Sequence, residues 1–285
     1  MKNLYVFIAI IVCYFLCVGP VYGIETLNKT DEDIVTNEDS TTEDNNTTGE
    51  SAKQEKKQET QDKTKGKCVD GDCQNGVGVY EWGDGSKYEG DFKNGVIDGK
   101  GMYNWSNGSK YTGDFKEAKK EGQGVFEWPD GLSYEGKFTN GEMAGEGVLK
   151  WPTGAIYEGE IEQGKMHGKG TYVFPDGNRY EGEFEMGAFS GNGTFTYTDG
   201  REYSGEFKNG KKEGSGKMVW PDGKTYEGQW KGDIILGSGT MTLPNGEIME
   251  GVWENGVMIN ENNVNENNVK ENNVKENNVK ENDSN

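Results

Sequence analysis

The sequence predicts an all-β protein, an elongated single-layer twisted antiparallel sheet built from consecutive 23-residue β-hairpins and flanked by disordered tails. Tyrosines recur every 23 residues, without an insertion, from Tyr88 to Tyr226, and several glycines keep the same step. A fixed period of this length is typical of repeat arrays, which offer an extended surface instead of a single catalytic pocket. Within each period, large apolar residues alternate with polar ones, which is typical of strands that bury one face.

The repeat that begins at Tyr88 shows the elements of one hairpin. Tyr88 and Phe92 lie at alternate positions and therefore share one strand face. Asn94-Gly95 is a turn sequence that favours a tight hairpin. Tyr103 and Trp105 then place a second alternating strand on the same apolar face, so each repeat is predicted to contribute two strands.

The recurring glycines of this repeat, Gly90, Gly99 and Gly101, fall on the same face as the aromatic rings. Since a glycine has no side chain, we expect each of the three to let a neighbouring ring lie flat on the backbone. The opposite face carries polar residues such as Glu89 and Lys100 and is expected to be solvated. We also expect the aromatic face to form the concave side of the twisted sheet.

Both ends of the chain differ from the array in composition. Residues 1–23 combine Lys2, an apolar run and a small-residue end, which predicts a signal peptide. An uncleaved signal anchor is the alternative, although the run is short for a membrane span of about 20 residues. Residues 24–66 are acidic and polar, which predicts disorder. Residues 258–285 repeat a five-residue unit that fits neither a helix nor a strand, so we expect a disordered low-complexity tail there and an array over 67–257, with about eight repeats.

Cys68 and Cys73 are the two cysteines outside the predicted signal peptide. Two neighbouring cysteines in an oxidising compartment are most often paired, so we expect a disulfide that closes the incomplete first repeat. Together with the signal peptide, this predicts a protein of the secretory pathway, either secreted or in the lumen of a secretory compartment. If that compartment glycosylates its proteins, the Asn-x-Ser/Thr sites are candidates for glycosylation, and they occur at Asn28, Asn45, Asn46, Asn104, Asn107, Asn192 and Asn282.

The formal net charge of the chain is −20 at pH 7, and no segment has a basic excess. A nucleic-acid binder normally carries a basic patch or stripe, so nucleic acid is excluded as an expected partner. The same acidity weighs against binding to anionic lipid surfaces.

The repeat sequence resembles that of the MORN family (membrane occupation and recognition nexus), whose unit reads roughly YxGxF/WxxGxxxGxGxxxxxxG. Seven copies in this chain match the unit closely, with partial copies at each end, and the resemblance covers about residues 66–257. The resemblance implies a single-layer sheet of hairpins without catalytic activity. It also implies a module that scaffolds, dimerises or attaches proteins to membranes, with partner peptides or helices held in a concave groove.

No arrangement of residues indicates catalysis, a cofactor or a metal. The single histidine, His167, lies in a stretch that is typical of a turn, and no acid–base pair stands out among the carboxylates. The Asp-Gly turns that follow Pro129, Pro175 and Pro221 offer too few oxygens for calcium. We therefore expect that the protein is not an enzyme and that it binds neither a metal nor a cofactor.

A one-layer sheet cannot cover all of its aromatic face, so part of that face is expected to stay open as an interaction surface. Packing of the rings on one another is the structural alternative for the same residues. We predict that a protein or peptide partner, or a second copy of the chain as a homodimer, binds along this groove, and attachment to phospholipid membranes is the alternative function. The residues predicted to contact the partner lie in the middle of the array: Tyr111, Phe115, Phe126, Trp128, Tyr134, Phe138, Trp151 and Tyr157.

Overall fold

The structure, a computed structural model, describes residues 65–259. These residues form strands and turns without a helix, so no membrane-spanning helix occurs among them. The predicted signal peptide, most of the predicted acidic segment and the predicted tail from residue 260 onward lie outside the described residues.

Eighteen strands form a single sheet. Their bounds are β1 Lys67–Gly71, β2 Val77–Glu81, β3 Lys87–Lys93, β4 Val96–Asn104, β5 Lys110–Lys116, β6 Lys119–Glu127, β7 Ser133–Thr139, β8 Glu142–Lys150, β9 Ile156–Glu162, β10 Lys165–Val173, β11 Arg179–Glu185, β12 Ala188–Thr196, β13 Glu202–Lys208, β14 Lys211–Val219, β15 Thr225–Lys231, β16 Ile234–Thr242, β17 Ile248–Glu254 and β18 Val257–Ile259. Each strand pairs antiparallel with its neighbours in the chain, so β1 and β18 are the two edges of an open meander. The prediction of an all-β antiparallel sheet of hairpins is confirmed.

Each full repeat, from β3–β4 to β15–β16, contributes a seven-residue strand, a tight turn and a nine-residue strand. In the turn between β3 and β4, Asn94 and Gly95 have φ angles of 53° and 77°. Positive φ at both central residues matches the right-handed twist of the flanking strands, and Asn-Gly adopts it readily. The turn predicted from Asn94-Gly95 is therefore present, and it fixes the register of the hairpin.

Each of these hairpins also contains a bulge that simple alternation does not predict. After the Gly90–Gly101 pair, Phe92 pairs with Ile97, so Asp91 alone faces residues 98–100. The Asp91 carboxylate fills the bulge and accepts a hydrogen bond from the backbone N–H of Lys100 at 2.7 Å. Glutamates make the same backbone contact in three later repeats: Glu160, Glu183 and Glu206.

The bulge corrects the expectation for Gly99. A Cβ added at Gly99 would overlap the Asp91 side chain, with no aromatic ring among its nearest neighbours, and the φ angle of Gly99 is 126°. Glycine adopts this backbone conformation without the strain that a Cβ would cause. Gly99 therefore makes room for a carboxylate, whereas Gly90 and Gly101 make room for a ring as predicted.

Consecutive hairpins are held together at their turns as well as along their strands. The backbone N–H of Ala118, in the turn of one hairpin, donates to the Ile97 carbonyl of the preceding hairpin at 2.8 Å. The N–H of Glu117 in the same turn donates to the Asp98 carboxylate at 3.2 Å. Equivalent backbone contacts recur at the later turns, so each repeat is joined to its neighbour at two separate places.

The tyrosines that recur every 23 residues form the centre of the core. We call them the repeat tyrosines, and each has 0% of its surface exposed. Each hydroxyl donates a hydrogen bond to the carbonyl three residues further along the chain, at distances from 2.6 to 3.3 Å. Burying a hydroxyl without such a partner would cost free energy, so this bond allows complete burial. The repeat tyrosines are Tyr88, Tyr111, Tyr134, Tyr157, Tyr180, Tyr203 and Tyr226.

Tyr134 shows how a repeat tyrosine packs. Its ring lies over Gly136 on its own strand and over Gly147 on the paired strand, where an added Cβ would overlap the ring. The ring of Phe138 meets it edge-on, with centroids 5.2 Å apart, and the same Phe138 ring contacts Tyr111 of the preceding repeat at 5.0 Å. Burial raises the pKa of Tyr134 to about 12. The aromatic residues of successive repeats thus form one continuous core.

The two edges of the sheet differ in construction. A disulfide joins Cys68 to Cys73, as expected, but Cys68 lies in the edge strand β1 and only Cys73 lies in the following turn. At the other edge, Trp253 is buried against Tyr226, and β18 then adds one further strand. The sheet therefore includes Met258 and Ile259, which the composition alone assigns to the tail.

Substituting a glycine beneath a repeat tyrosine should destabilise the sheet. Gly147→Ala places a methyl group into the Tyr134 ring, and overpacking of this kind costs about 1–3 kcal/mol. The control is Gly251→Ala, at the repeat position of Gly136, which pairs with Gly147 beneath the same ring. At Gly251, Met249 replaces the tyrosine and the nearest atoms belong to the flexible Met258 side chain at 3.3 Å. Urea unfolding should show a clear loss of stability for Gly147→Ala and a change below about 1 kcal/mol for Gly251→Ala. Equal losses for both variants would contradict this packing.

Candidate binding groove

A line of paired glycines crosses the sheet from β1 to β17. Gly136 pairs with Gly147, Gly147 with Gly159 and Gly159 with Gly170, and the same relation continues in both directions. We call this line the glycine ladder. Its members are Gly71, Gly78, Gly90, Gly101, Gly113, Gly124, Gly136, Gly147, Gly159, Gly170, Gly182, Gly193, Gly205, Gly216, Gly228, Gly239 and Gly251.

On one face of the sheet the repeat tyrosines cover the glycine ladder, and on the other face it forms the floor of an open groove. The groove has a volume of about 1320 Å³ and extends from β6 to β13. Its walls are the polar residues that alternate with the aromatic ones along each strand. A smaller groove of about 500 Å³ continues on the same face near β3 and β4, with Val77 and Met102 in its walls. The residues that line the main groove beside the glycines are Gln123, Glu135, Glu146, Val148, Glu158, Lys169, Thr171, Arg179, Glu181, Glu183, Asn192, Thr194, Thr196 and Glu202.

The main groove is acidic, because six glutamates line it against one lysine and one arginine. Two of the glutamates already have partners. The Glu181 carboxylate forms an ion pair with Arg179 at 2.6 Å, and the Glu183 carboxylate accepts a hydrogen bond from the backbone N–H of Asn192 at 3.2 Å in the bulge of that hairpin. Glu135 and Glu158, by contrast, form no ion pair within residues 65–259 and are exposed to solvent. Their charges are therefore open to a partner.

The expectation of an open aromatic groove is corrected by the packing of the rings. Six of the eight residues predicted to contact a partner have at most 4% of their surface exposed, because their rings pack on one another and on the glycine ladder. They are Tyr111, Phe115, Phe126, Tyr134, Phe138 and Tyr157. These six residues therefore match the structural alternative, in which the rings pack on one another.

Trp128 and Trp151, the other two residues predicted to contact a partner, lie just beyond the ends of β6 and β8 and keep part of their surface exposed. Trp128 packs against Phe126 with ring centroids 4.4 Å apart, and Trp151 packs against Tyr172 at 5.6 Å. Both rings belong to the aromatic face, opposite the groove. The structure therefore separates these two tryptophans from the groove walls.

His167 lies in strand β10 and not in a turn, because the turn of that hairpin ends at Gly164. Its Nε2 atom is 3.2 Å from the Glu162 carboxylate. In the part of the chain that the structure describes, no group of three or more His, Cys, Asp or Glu side chains is placed to hold a metal ion.

Sequence reasoning missed the groove residues because it assigned them only to a solvated face. The signal was present in the glycine spacing, since Gly136, Gly147 and Gly159 recur at intervals of 11 and 12 residues without insertion. Two strands of known length joined by a tight turn place such glycines opposite each other. The pairing, and hence the continuous floor, follows only once the bulge and the register are known.

Comparison with known proteins identifies the repeat. The family model described as MORN repeat matches eight consecutive segments, at residues 74–87, 88–110, 111–133, 134–156, 157–179, 180–200, 203–225 and 226–248. No curated protein matches the chain.

Similarity to solved structures is weak. The chain is similar to the TCP domain of SAS-4 (dCPAP) in complex with a proline-rich motif of Ana2 (dSTIL) of Drosophila melanogaster, with 10% identity, coverage of 66% of this chain and 90% of that chain, and a TM-score of 0.33. It is also similar to the TCP10 domain of Danio rerio CPAP in complex with a peptide of Danio rerio STIL, with 12% identity, coverage of 63% and 96%, and a TM-score of 0.21. None of these similarities, at such TM-scores, indicates a function for this chain.

The matched segments include more than half of the residues, and each full-length segment corresponds to one strand–turn–strand unit of the sheet. A repeat tyrosine and its two ladder glycines recur in each of the seven matched segments from residue 88 onward. The chain therefore belongs to the MORN-repeat family.

Proposed function

We propose that the chain is a non-enzymatic MORN-repeat scaffold that binds a protein or peptide partner along the groove on its polar face. MORN repeats form scaffolds or binding modules, which is the general function that the family supports. The observation that carries the proposal is the groove itself, an open sheet face eight strands wide with a floor made of glycines. The aromatic face, in contrast, is largely occupied by its own packing.

The shape of the groove favours an extended macromolecular ligand over a small molecule. Small-molecule sites are enclosed and mostly apolar, and they bury most of the ligand surface. This groove is long, open and lined mainly by charged and polar side chains. The floor presents only backbone on this face, because a Cβ at these glycines would point into the tyrosine rings of the other face, so another chain can approach the sheet there. A segment of protein chain laid across the strands fits these properties.

The alternative function, attachment to phospholipid membranes, gains no support from this groove. Anionic lipid headgroups attract lysine and arginine clusters, whereas glutamates dominate the groove walls. Binding of a second copy of the chain, as a homodimer, stays a prediction, because the structure contains a single chain.

Selection from a displayed library of random 15-residue peptides, panned on the full-length protein, tests the proposal. Peptides selected on the wild-type protein should bind Thr171→Trp at least tenfold more weakly, because the new side chain would fill the groove between Glu158 and Glu181. Tryptophan is well tolerated in strands, so the variant should keep its circular dichroism spectrum. Trp128→Ala, on the opposite face, is the matched control and should bind as the wild type does.

Two outcomes would contradict the proposal. Peptides that lose affinity for Trp128→Ala but not for Thr171→Trp would place binding on the aromatic face. Failure to select any peptide that binds the wild-type protein would remove the case for a peptide-binding groove.

We also propose that this function is carried out in the secretory pathway. The disulfide between Cys68 and Cys73 supports this, because disulfides persist in oxidising compartments. N-terminal sequencing of the protein from its native source should then find a chain that begins at Ile24. A chain that retains residues 1–23, with Cys68 and Cys73 reduced, would contradict it.

A further inference from the structure

Glutamates stand at the same position of three consecutive repeats in the groove wall. Across the paired strands, Val148 lies between Glu135 and Glu158. Thr171 lies between Glu158 and Glu181 in the same way. Two strand spacings therefore separate one glutamate from the next. Since neighbouring strands lie about 4.8 Å apart, the glutamates recur about every 9.5 Å along the groove.

This spacing selects among the conformations that a bound segment could adopt. A polyproline II helix rises about 3.1 Å per residue with three residues per turn, so it repeats about every 9.3 Å and presents every third residue to the same side. A β-strand presents alternate residues to one side, about every 6.7 Å, so its third residue points away. In an α-helix two turns span about 10.8 Å, and the mismatch grows by about 1 Å per repeat.

The charge of the groove determines which side chains of a partner fit it. Glu135 and Glu158 are exposed and form no ion pair among the described residues, and Glu146 stands directly opposite Glu160 across the strands, so two like charges face each other. A partner with positive charges would relieve this repulsion. Val148 and Thr171, which stand between the three glutamates, are small enough to leave space for the intervening residues of the partner.

We infer that the groove takes an extended basic segment of a partner protein in the polyproline II conformation, with a lysine or arginine at every third residue. The inference rests on the proposed function and specifies its ligand. One turn of the segment corresponds to one repeat of the sheet, so two successive basic residues meet Glu135 and Glu158. The next one comes to Glu181, whose charge Arg179 already pairs. Unfolded chains already populate this conformation, so a basic unfolded segment needs little reordering to fit.

Two peptides of identical composition test the register. The first is (Lys-Gln-Gln)4, which spans about 37 Å as a polyproline II helix, close to the width of the eight-strand groove. The second contains the same four lysines in one block followed by the eight glutamines. Fluorescence anisotropy with the full-length protein at low salt should show about tenfold tighter binding of the first peptide.

Charge variants locate the binding. Glu135→Gln combined with Glu158→Gln should weaken binding of the periodic peptide about fivefold. Glu117→Gln combined with Glu247→Gln removes the same charge from two turns outside the groove, so this control should bind as the wild type does. Retention of binding by the groove variant would overturn the inference, because it would assign the affinity to the net charge of the chain.

The remaining outcomes separate the inference from the proposed function. Equal binding of both peptides, with loss in the groove variant, would overturn the three-residue register and leave the groove as a binding site. Binding of neither peptide, while library peptides still depend on Thr171, would overturn a basic extended ligand and leave the proposed function standing. If neither these peptides nor library peptides bind, the inference and the proposed function both fail.

Discussion

The contact between a repeat tyrosine and a pair of glycines is the interaction on which the rest of this structure depends. The Tyr134 ring lies directly on Gly136 and Gly147, and its hydroxyl reaches the Lys137 carbonyl at 3.0 Å. Most domains bury their apolar residues between two layers, but here no side chain separates the ring from the backbone. A single sheet can therefore bury its tyrosines completely.

The groove on the opposite face follows from the alternation of side chains along the strands. A Cβ at a ladder glycine would point into the tyrosine ring, so on the other face these positions present only backbone, and the polar residues on either side stand above them as walls. Glycine in strands costs about 0.5–1 kcal/mol each through lost entropy. The burial of the tyrosines and the turn contacts between hairpins offset this cost along the array. Core packing and the candidate binding surface are thus two consequences of one sequence period.

Much of the fold follows from the sequence because its determinants are local. The 23-residue spacing of the tyrosines predicts the repeat, alternation predicts the strands, and Asn94-Gly95 predicts a turn that the structure contains. Alternation also assigns Tyr111 and Phe138 to one face, but it does not tell whether a ring stands up or lies flat. Flat rings held by a hydroxyl hydrogen bond close the aromatic face, so the predicted open groove is replaced by a core.

The candidate site was harder to predict because it depends on register. The sequence places Gly99 with the other glycines, whereas the bulge turns it toward the Asp91 carboxylate. The pairing of Glu135, Val148 and Glu158 in one wall likewise appears only after the strands are aligned. Alternation predicts which residues lie on the solvated face of the sheet. Which residue of the next strand each of them pairs with is known only from the structure.

The most direct test of this account is the ionisation of the repeat tyrosines, followed by tyrosinate absorbance while circular dichroism monitors the sheet. Burial raises the pKa of all seven, to about 12 for Tyr134, above the value of about 10 in an unfolded chain. The contribution of Tyr134 to stability is therefore complete below about pH 10 and is lost as the pH rises through about 12, and the raised pKa values of the other six act in the same direction. We predict that these tyrosines ionise only together with unfolding of the sheet. Ionisation of all tyrosines near pH 10, with the sheet still intact, would show that the aromatic face is open and would contradict it.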